Sequence, residues 1–256
     1  MNTGHWIRHF TRNTPLNDSL RLPPAPVTLP DEIRLPLAAS LAVFQLGESG
    51  GGTRLRRYAR EVAPLVNFRG YQRAVDLFIA EEQSHSRLLE RVVLHLGGSL
   101  IEKQWTNSVF RRLRGLVNLE FAIQVLLTAE LVAEIYYGAL YLRVSDPVVR
   151  VMARKILQDE TRHLEFQREF LSERLATFSP AGRWLWRLQF EAVHAVTAAV
   201  VAWDHRHCLK ALGVGLPEFF ERTRKAWAVF QRRLDSRIRV LRECGGVAQV
   251  LSPTNP

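Results

Sequence analysis

Residues 81–85 read Glu81-Glu82-Gln83-Ser84-His85, and residues 159–163 read Asp159-Glu160-Thr161-Arg162-His163. Each stretch contains Glu-x-x-His. On a helix, positions i and i+3 lie on one face, so Glu82 projects with His85 and Glu160 with His163. A hard carboxylate oxygen beside a neutral imidazole suits iron or manganese. One copy of the pattern carries little weight, because with 18 Glu and 8 His chance supplies roughly half an instance. Two further glutamates give it weight. Glu48 precedes Glu82 by 34 residues, and Glu130 precedes Glu160 by 30. Pro64 falls near the middle of the first interval and Ser145-Asp146-Pro147 in the middle of the second. In an antiparallel helical hairpin, residues equidistant from the turn come level with each other. Both hairpins therefore set a glutamate opposite a Glu-x-x-His, inside a bundle.

The flanks are apolar. Val75, Phe78 and Ile79 precede the first motif, Ile156 and Leu157 the second, and Glu130 sits within the run from Val125 to Ala133. Burying an ionised carboxylate is costly unless it is paired or bound to a cation. The competing reading is a solvated helix face with ordinary surface histidines, and these flanks disfavour it. Glu134 follows Glu130 by one turn on the same face. It is a candidate extra ligand, a proton-handling carboxylate, or an arginine partner.

Working outward, the chain reads as helix almost throughout. Asp31 caps a first helix expected over Glu32–Ala63, in which Gly47, Gly50, Gly51 and Gly52 invite a kink or break. A second is expected over Phe68–Leu96, a short connector over Gln104–Leu113, and a third over Leu116–Val144. The fourth follows Asp146-Pro147, an N-cap beside an early proline, and runs to Phe178. A fifth extends from Ser179-Pro180 to Leu212, and a sixth ends before Gly245-Gly246. Pro15, Pro23, Pro24, Pro26 and Pro30 mark residues 1–30 as an irregular arm. The expected organisation is the arm (1–30), a four-helix bundle (31–178), and a C-terminal helical pair packed on it (179–256).

The chain has 256 residues and is 47% hydrophobic, enough to bury a real core. Its net charge of +10 raises nucleic acid as a partner. No recognition motif supports that, and the arginine clusters Arg54–Arg60 and Arg232–Arg239 read as solvated faces. Cys208 and Cys244 are too few and too far apart for a disulfide scaffold, so a cytoplasmic location is expected. The first residues carry no secretory signal. The most apolar stretch, about Ala192–Trp203, is too short to span a membrane. Trp184, Trp186, Trp203 and Trp227 read as packing residues. His194, His205 and His207 are not expected to form a second metal site, since His205 and His207 do not share a helix face.

The two Glu-x-x-His motifs, each paired with a glutamate on a neighbouring helix, resemble the ferritin-like di-iron carboxylate superfamily. The resemblance covers roughly residues 34–178. It implies two iron ions, with manganese or a mixed pair suiting the same donors. Glu82 and Glu160 resemble the bridging carboxylates, Glu48 and Glu130 the terminal ones, and His85 and His163 the one imidazole on each metal. Asp159 resembles the aspartate that orients a ligating histidine, here His85, and Glu81 is expected to do likewise for His163. Glu130 with Tyr137 matches the family's glutamate–tyrosine helix pattern. The implied function is a non-haem di-iron oxidase or oxygenase that uses dioxygen on a small organic substrate. No Cys-x-x-Cys pair exists, so electrons come from a separate donor protein. A homodimer is compatible with this reading. The alternatives are a ferroxidase or iron-handling protein, and a basic RNA-directed hydroxylase or binding module.

Overall fold

The computed structural model describes residues 1–64, 68–104 and 119–250, without the side chains of 119, 120, 122 and 244–250. The connector expected up to Leu113 lies outside these residues beyond Gln104, as does the Cys244 side chain. The order is α1 (Thr3–Asp18), α2 (Asp31–Glu48), α3 (Thr53–Val62), α4 (Tyr71–His95), α5 (Leu119–Arg143), α6 (Pro147–Ala176), α7 (Pro180–Asp204), α8 (Arg206–Ala211) and α9 (Leu216–Val250). No strand occurs among the described residues. The fold is an all-α ferritin-like bundle. Helices α2 and α4 form one hairpin and α5 and α6 the other, with α4 against α6. Helix α7 packs on α5, and α9 packs on α6 and α5.

Local chemistry sets the ends. Asp146 caps α6, accepting from the Val148 and Val149 amides at 3.0 and 3.1 Å, with Pro147 in the first turn. Ser179 caps α7 through the Gly182 amide at 3.1 Å. The first expected helix is two, α2 and α3, separated by the glycine run. Gly52 has φ +61°, and a Cβ there would overlap the Ile79 side chain. Only glycine combines that conformation with that close approach.

The N-terminal arm corrects the expectation. Residues 3–18 form a helix that packs along α4. Only Pro15 falls within it, near its end, and the burial of Trp6 and Phe10 outweighs the lost hydrogen bond. The remaining four prolines occupy the irregular stretch up to α2. The fifth expected helix is also divided, at His205, whose side chain turns inward. Helix α9 continues through Gly245-Gly246 to Val250, because two glycines at about 1 kcal/mol each disfavour a helix without forbidding it. Trp186 and Trp227 pack against the core, but Trp184 and Trp203 are 65% and 63% exposed, so those two are surface residues. The most membrane-like helix is not Ala192–Trp203. Ile123–Arg143, within α5, is the one described segment long and apolar enough to cross a membrane, and 61% of its window is buried in the bundle.

Among the described residues the apolar core has two clusters. One gathers Leu37, Leu41, Leu88, Tyr136, Met152 and Ile156. The other gathers Phe10, Phe78, Leu127, Leu131, Phe166 and Phe170. Along α4 the chain passes from Ile79 to Leu88, and along α6 from Ile156 to Leu164. The two Glu-x-x-His motifs lie between the clusters, as a polar layer across the bundle.

Candidate metal centre

Three ligand atoms, one each from Glu82, His85 and Glu160, lie within 4.8 Å of one another. The other expected residues adjoin this group. His163 Nδ1 is 2.9 Å from Glu82 Oε1 and 3.5 Å from Glu160 Oε2. His85 Nδ1 is 3.8 Å from Glu160 Oε1. Glu160 thus turns one oxygen toward each imidazole, and the rings stand 5.5 Å apart. Glu48, at the end of α2, adjoins Glu82. Glu130, on α5, accepts from Gln167 Nε2 with one oxygen. Glu48, Glu82, Glu130 and Glu160 all border one cavity of about 450 Å³.

The far side of each imidazole fixes its role. His85 Nε2 is 2.9 Å from Asp159 Oδ2, and His163 Nε2 is 3.1 Å from Glu81 Oε2. Ionised carboxylates only accept, so each Nε2 carries a proton and donates it. Each Nδ1 is then free to offer a lone pair to the cluster. Both Nδ1 atoms are buried without a hydrogen-bond partner, as are Glu82 Oε1, Glu130 Oε2 and Glu160 Oε2. Lone pairs and carboxylate oxygens that face one another at 3–4 Å repel unless a cation or a proton lies between them. Four carboxylates carry four negative charges, which a pair of divalent cations balances. The residues present therefore fit a two-metal group.

Without a cation, protons take that place. Burial, then Glu82, pushes the Glu48 carboxyl well above its ordinary value. Burial, then Glu160, does the same to Glu130, and burial raises Glu160 as well. Burial opposes charge on His163, but Glu82, Glu160 and Glu81 outweigh it and raise the imidazole well above its usual range. Glu82 is also resisted by burial, yet contact with His163 holds it at about 2.

Residues that the motif reading missed hold this arrangement from behind. Asn17 Nδ2 donates to Asp159 Oδ2 at 3.0 Å and to Ser84 Oγ at 3.1 Å. Asn13 Nδ2 donates to Asp159 Oδ1 at 2.9 Å and also to Glu81. Lys155 Nζ reaches Asp159 Oδ1 at 2.6 Å. Burial alone would raise Asp159, but His85 and Lys155 hold it far below the carboxylate range. Trp6, Phe10, Asn13 and Asn17 share one face of α1, a signal present in the sequence but obscured by the prolines. Partners behind metal-binding histidines contribute 10–100-fold to metal affinity. Asn17→Ala is therefore expected to weaken ferrous binding roughly tenfold while the fold persists, as read by chelator competition and circular dichroism. Unchanged affinity would reduce α1 to a packing element.

Glu134 does not join the cluster. It is half-buried and takes a hydrogen bond from Thr161 Oγ1 at 3.3 Å; burial raises its carboxyl, against the Thr161 contact and the more distant charge of Arg233. Tyr137 is fully buried beside Glu48 with its hydroxyl unpartnered. The glycine run serves two purposes: Gly52 packs against Ile79, while Gly47 and Gly51 border the cavity with open space at their Cα atoms. His194, His205 and His207 do not converge: His194 packs by Trp227, His205 bonds Ser40, and His207 is exposed. Both arginine clusters carry ion pairs, Arg57 with Glu61 at 2.9 Å and Arg237 with Glu169 at 3.6 Å among them.

A family model described as P-aminobenzoate N-oxygenase AurF matches residues 56–228. This span is more than half the chain. It contains both Glu-x-x-His motifs and Glu130, and begins after Glu48. No curated protein and no solved structure matches the chain.

Proposed function

The chain belongs to the p-aminobenzoate N-oxygenase family, a di-iron ferritin-like oxygenase family, and from that premise we propose that it uses dioxygen to oxygenate an organic substrate, with an aromatic amine nitrogen as the reacting atom. The observation that carries this reading is the set of orphaned buried donors on Glu82, His85, Glu130, Glu160 and His163. With Glu48 they would hold a pair of iron ions. Those ions, when bound and ferrous, supply the activation of dioxygen.

The chain's own residues do the rest. Asp159 and Glu81 keep both Nε2 atoms protonated and so keep both Nδ1 lone pairs directed into the cluster. Glu160 and Glu82, lying between the histidines, suit bridging positions. Phe78 stands edge-on to His163 at 4.7 Å and packs on Phe166, placing apolar surface against that imidazole. The cavity, which Phe78 also borders, reaches Glu48 and Glu82. Tyr58, Ile79, Ile123 and Leu126 line it, and they favour a planar apolar ligand. Electrons reach the site from an external donor protein.

A cavity of this size favours an organic substrate over ferroxidation, because aqueous iron needs no apolar chamber. The test loads the protein with ferrous iron without oxygen, measures iron per chain, then admits labelled dioxygen with p-aminobenzoate and a panel of other anilines. A pair of irons per chain and label in an N-oxygenated product are expected. Absence of stoichiometric iron overturns the metal reading. Rapid iron oxidation with no labelled product from any amine turns the function to iron handling.

A further inference from the structure

One turn before Glu48 on α2, Phe44 stacks on His205, with ring centroids 4.7 Å apart and planes at 28°. It also stacks on Tyr136 at 4.5 Å. His205 is buried at the junction of α7 and α8, and its ring forms part of the cavity wall. A polar chain runs behind it. His205 Nδ1 lies 2.7 Å from Ser40 Oγ, Ser40 Oγ lies 2.5 Å from Tyr136 Oη, and Tyr136 Oη lies 3.4 Å from Cys208 Sγ. Nε2 has no hydrogen-bond partner among the described residues. None of these groups is used by the metal cluster.

The proton order along the chain follows from its chemistry. If Cys208 donates to Tyr136, Tyr136 to Ser40 and Ser40 to His205 Nδ1, every donor hydrogen within the chain is used, and the Nε2 hydrogen is left to face the cavity. The reverse order leaves the buried thiol hydrogen unpartnered and makes sulfur, a weak acceptor, take the phenol proton. The first order is preferred. It places the imidazole hydrogen on Nε2, the nitrogen not engaged by the chain.

We propose that His205 is a substrate-positioning residue, whose Nε2–H donates to an uncharged acceptor oxygen, a carbonyl or nitro group, on an aromatic substrate. The four-residue step from Phe44 to Glu48 rises about 6 Å. A single aromatic ring spans a comparable length, so a ligand held at His205 by one substituent presents the opposite end to Glu48 and Glu82. Burial holds His205 neutral, with its pKa lowered to about 4. Asp204 lies in the same wall, with Gln104 Nε2 at 2.8 Å from both its oxygens. Arg54 and Asp204 bring opposite charges to the cavity, so no net positive charge awaits a carboxylate. The proposal rests on reading this cavity as the substrate site.

The test uses the full, metal-free chain, so that failure of the iron reading and failure of this proposal are separable. Benzamide, benzoate and ethylbenzene are titrated as probes, with imidazole nitrogen shifts recorded by NMR. Nε2 of His205 is expected to be protonated in the free protein and to shift with benzamide. His205→Phe should weaken benzamide about tenfold, the equivalent of one hydrogen bond, and leave ethylbenzene unchanged. His205→Gln, which keeps an N–H near the Nε2 position, should restore most of the loss. Ser40→Ala, which leaves His205 itself in place, should lower the Nε2-protonated fraction and weaken benzamide selectively. If His205→Phe does not fold, the nitrogen shifts and Ser40→Ala decide. An unprotonated Nε2, equal losses for benzamide and ethylbenzene, or benzoate binding at least as tightly as benzamide overturns the proposal.

Discussion

Loading the metal-free protein with ferrous iron in the absence of oxygen is expected to raise its melting temperature by roughly 15 °C or more, and Glu160→Gln is expected to abolish most of that rise. A ligand present at 1,000 times its dissociation constant adds about 4 kcal/mol to stability, and two such sites add about 8. For a chain of this size each kcal/mol moves the melting point by about 2–4 °C. Glu160 is the residue to change because its oxygens face both imidazoles, at 3.8 Å from His85 and 3.5 Å from His163. Its loss would therefore disturb the donors beside both histidines, whereas loss of Glu48 would disturb those beside Glu82. The same substitution has a different effect without metal. Burial disfavours a charge on Glu160, and so does neighbouring Glu82. A neutral amide of the same shape removes that cost along with the contact to His163, so the metal-free variant should melt close to the wild type. Scanning calorimetry with and without iron separates the two effects. Equal destabilisation in both forms would make Glu160 a structural carboxylate and remove the metal from the account.

This contrast follows from residues legible in the sequence alone. The paired Glu-x-x-His motifs carry the fold because carboxylates amid Phe78, Ile79 and Ile156 are tolerable only in a shared site, which in turn needs two hairpins. Asp159 and Glu81 were legible too, as the neighbours of Glu160 and Glu82. They lie on adjacent helices and cross over to the opposite histidine, so that each helix orients the other's ligand. What was not legible depends on long-range packing. Asn13 and Asn17 reach Asp159 across more than 140 residues of chain, and no local pattern pairs them. Proline rules misread α1 because Trp6 and Phe10 gain more by burial than Pro15 loses. His205 looked like one of three scattered histidines. Its partners Ser40, Tyr136 and Cys208 come from three separate segments, which only the fold assembles. Helical spacing makes Trp184 and Trp203 read as packing residues, yet helix phase puts them outside, while Trp186, two residues from Trp184, faces in.

Raising the pH from 7 to 8.5 is expected to lower the melting temperature of the metal-free protein and to widen its separation from the iron-loaded form. Glu48, Glu130 and Glu160 start from an ordinary value of 4.5 and His163 from 6.5, and all are raised in the fold. Burial is the first cause for the glutamates, and the facing carboxylates are the cause for His163. A group whose folded pKa exceeds its unfolded pKa holds its proton more tightly in the native state. Its stabilisation is complete below the unfolded value and is lost as pH climbs through the folded value. For the glutamates that decline begins above pH 4.5, and for His163 above 6.5. The groups shifted the other way are spent before the window opens. Glu82, held at about 2, and Asp159 contribute fully above pH 4.5. His194 and His205, lowered to about 4 by burial, make stability rise with pH only up to about 6.5. Between pH 7 and 8.5 the raised groups of the cluster therefore dominate. Metal binding reverses the trend, because each cation displaces the protons that those groups retain. Titration calorimetry in buffers of different ionisation enthalpy should detect net proton release on binding, with more released at pH 7 than at pH 8.5. A metal-free melting point that stays flat or rises across this window, together with no proton release, would mean that the glutamates are already ionised without a cation. The orphaned oxygens of Glu82, Glu130 and Glu160 would then need an explanation other than a metal pair.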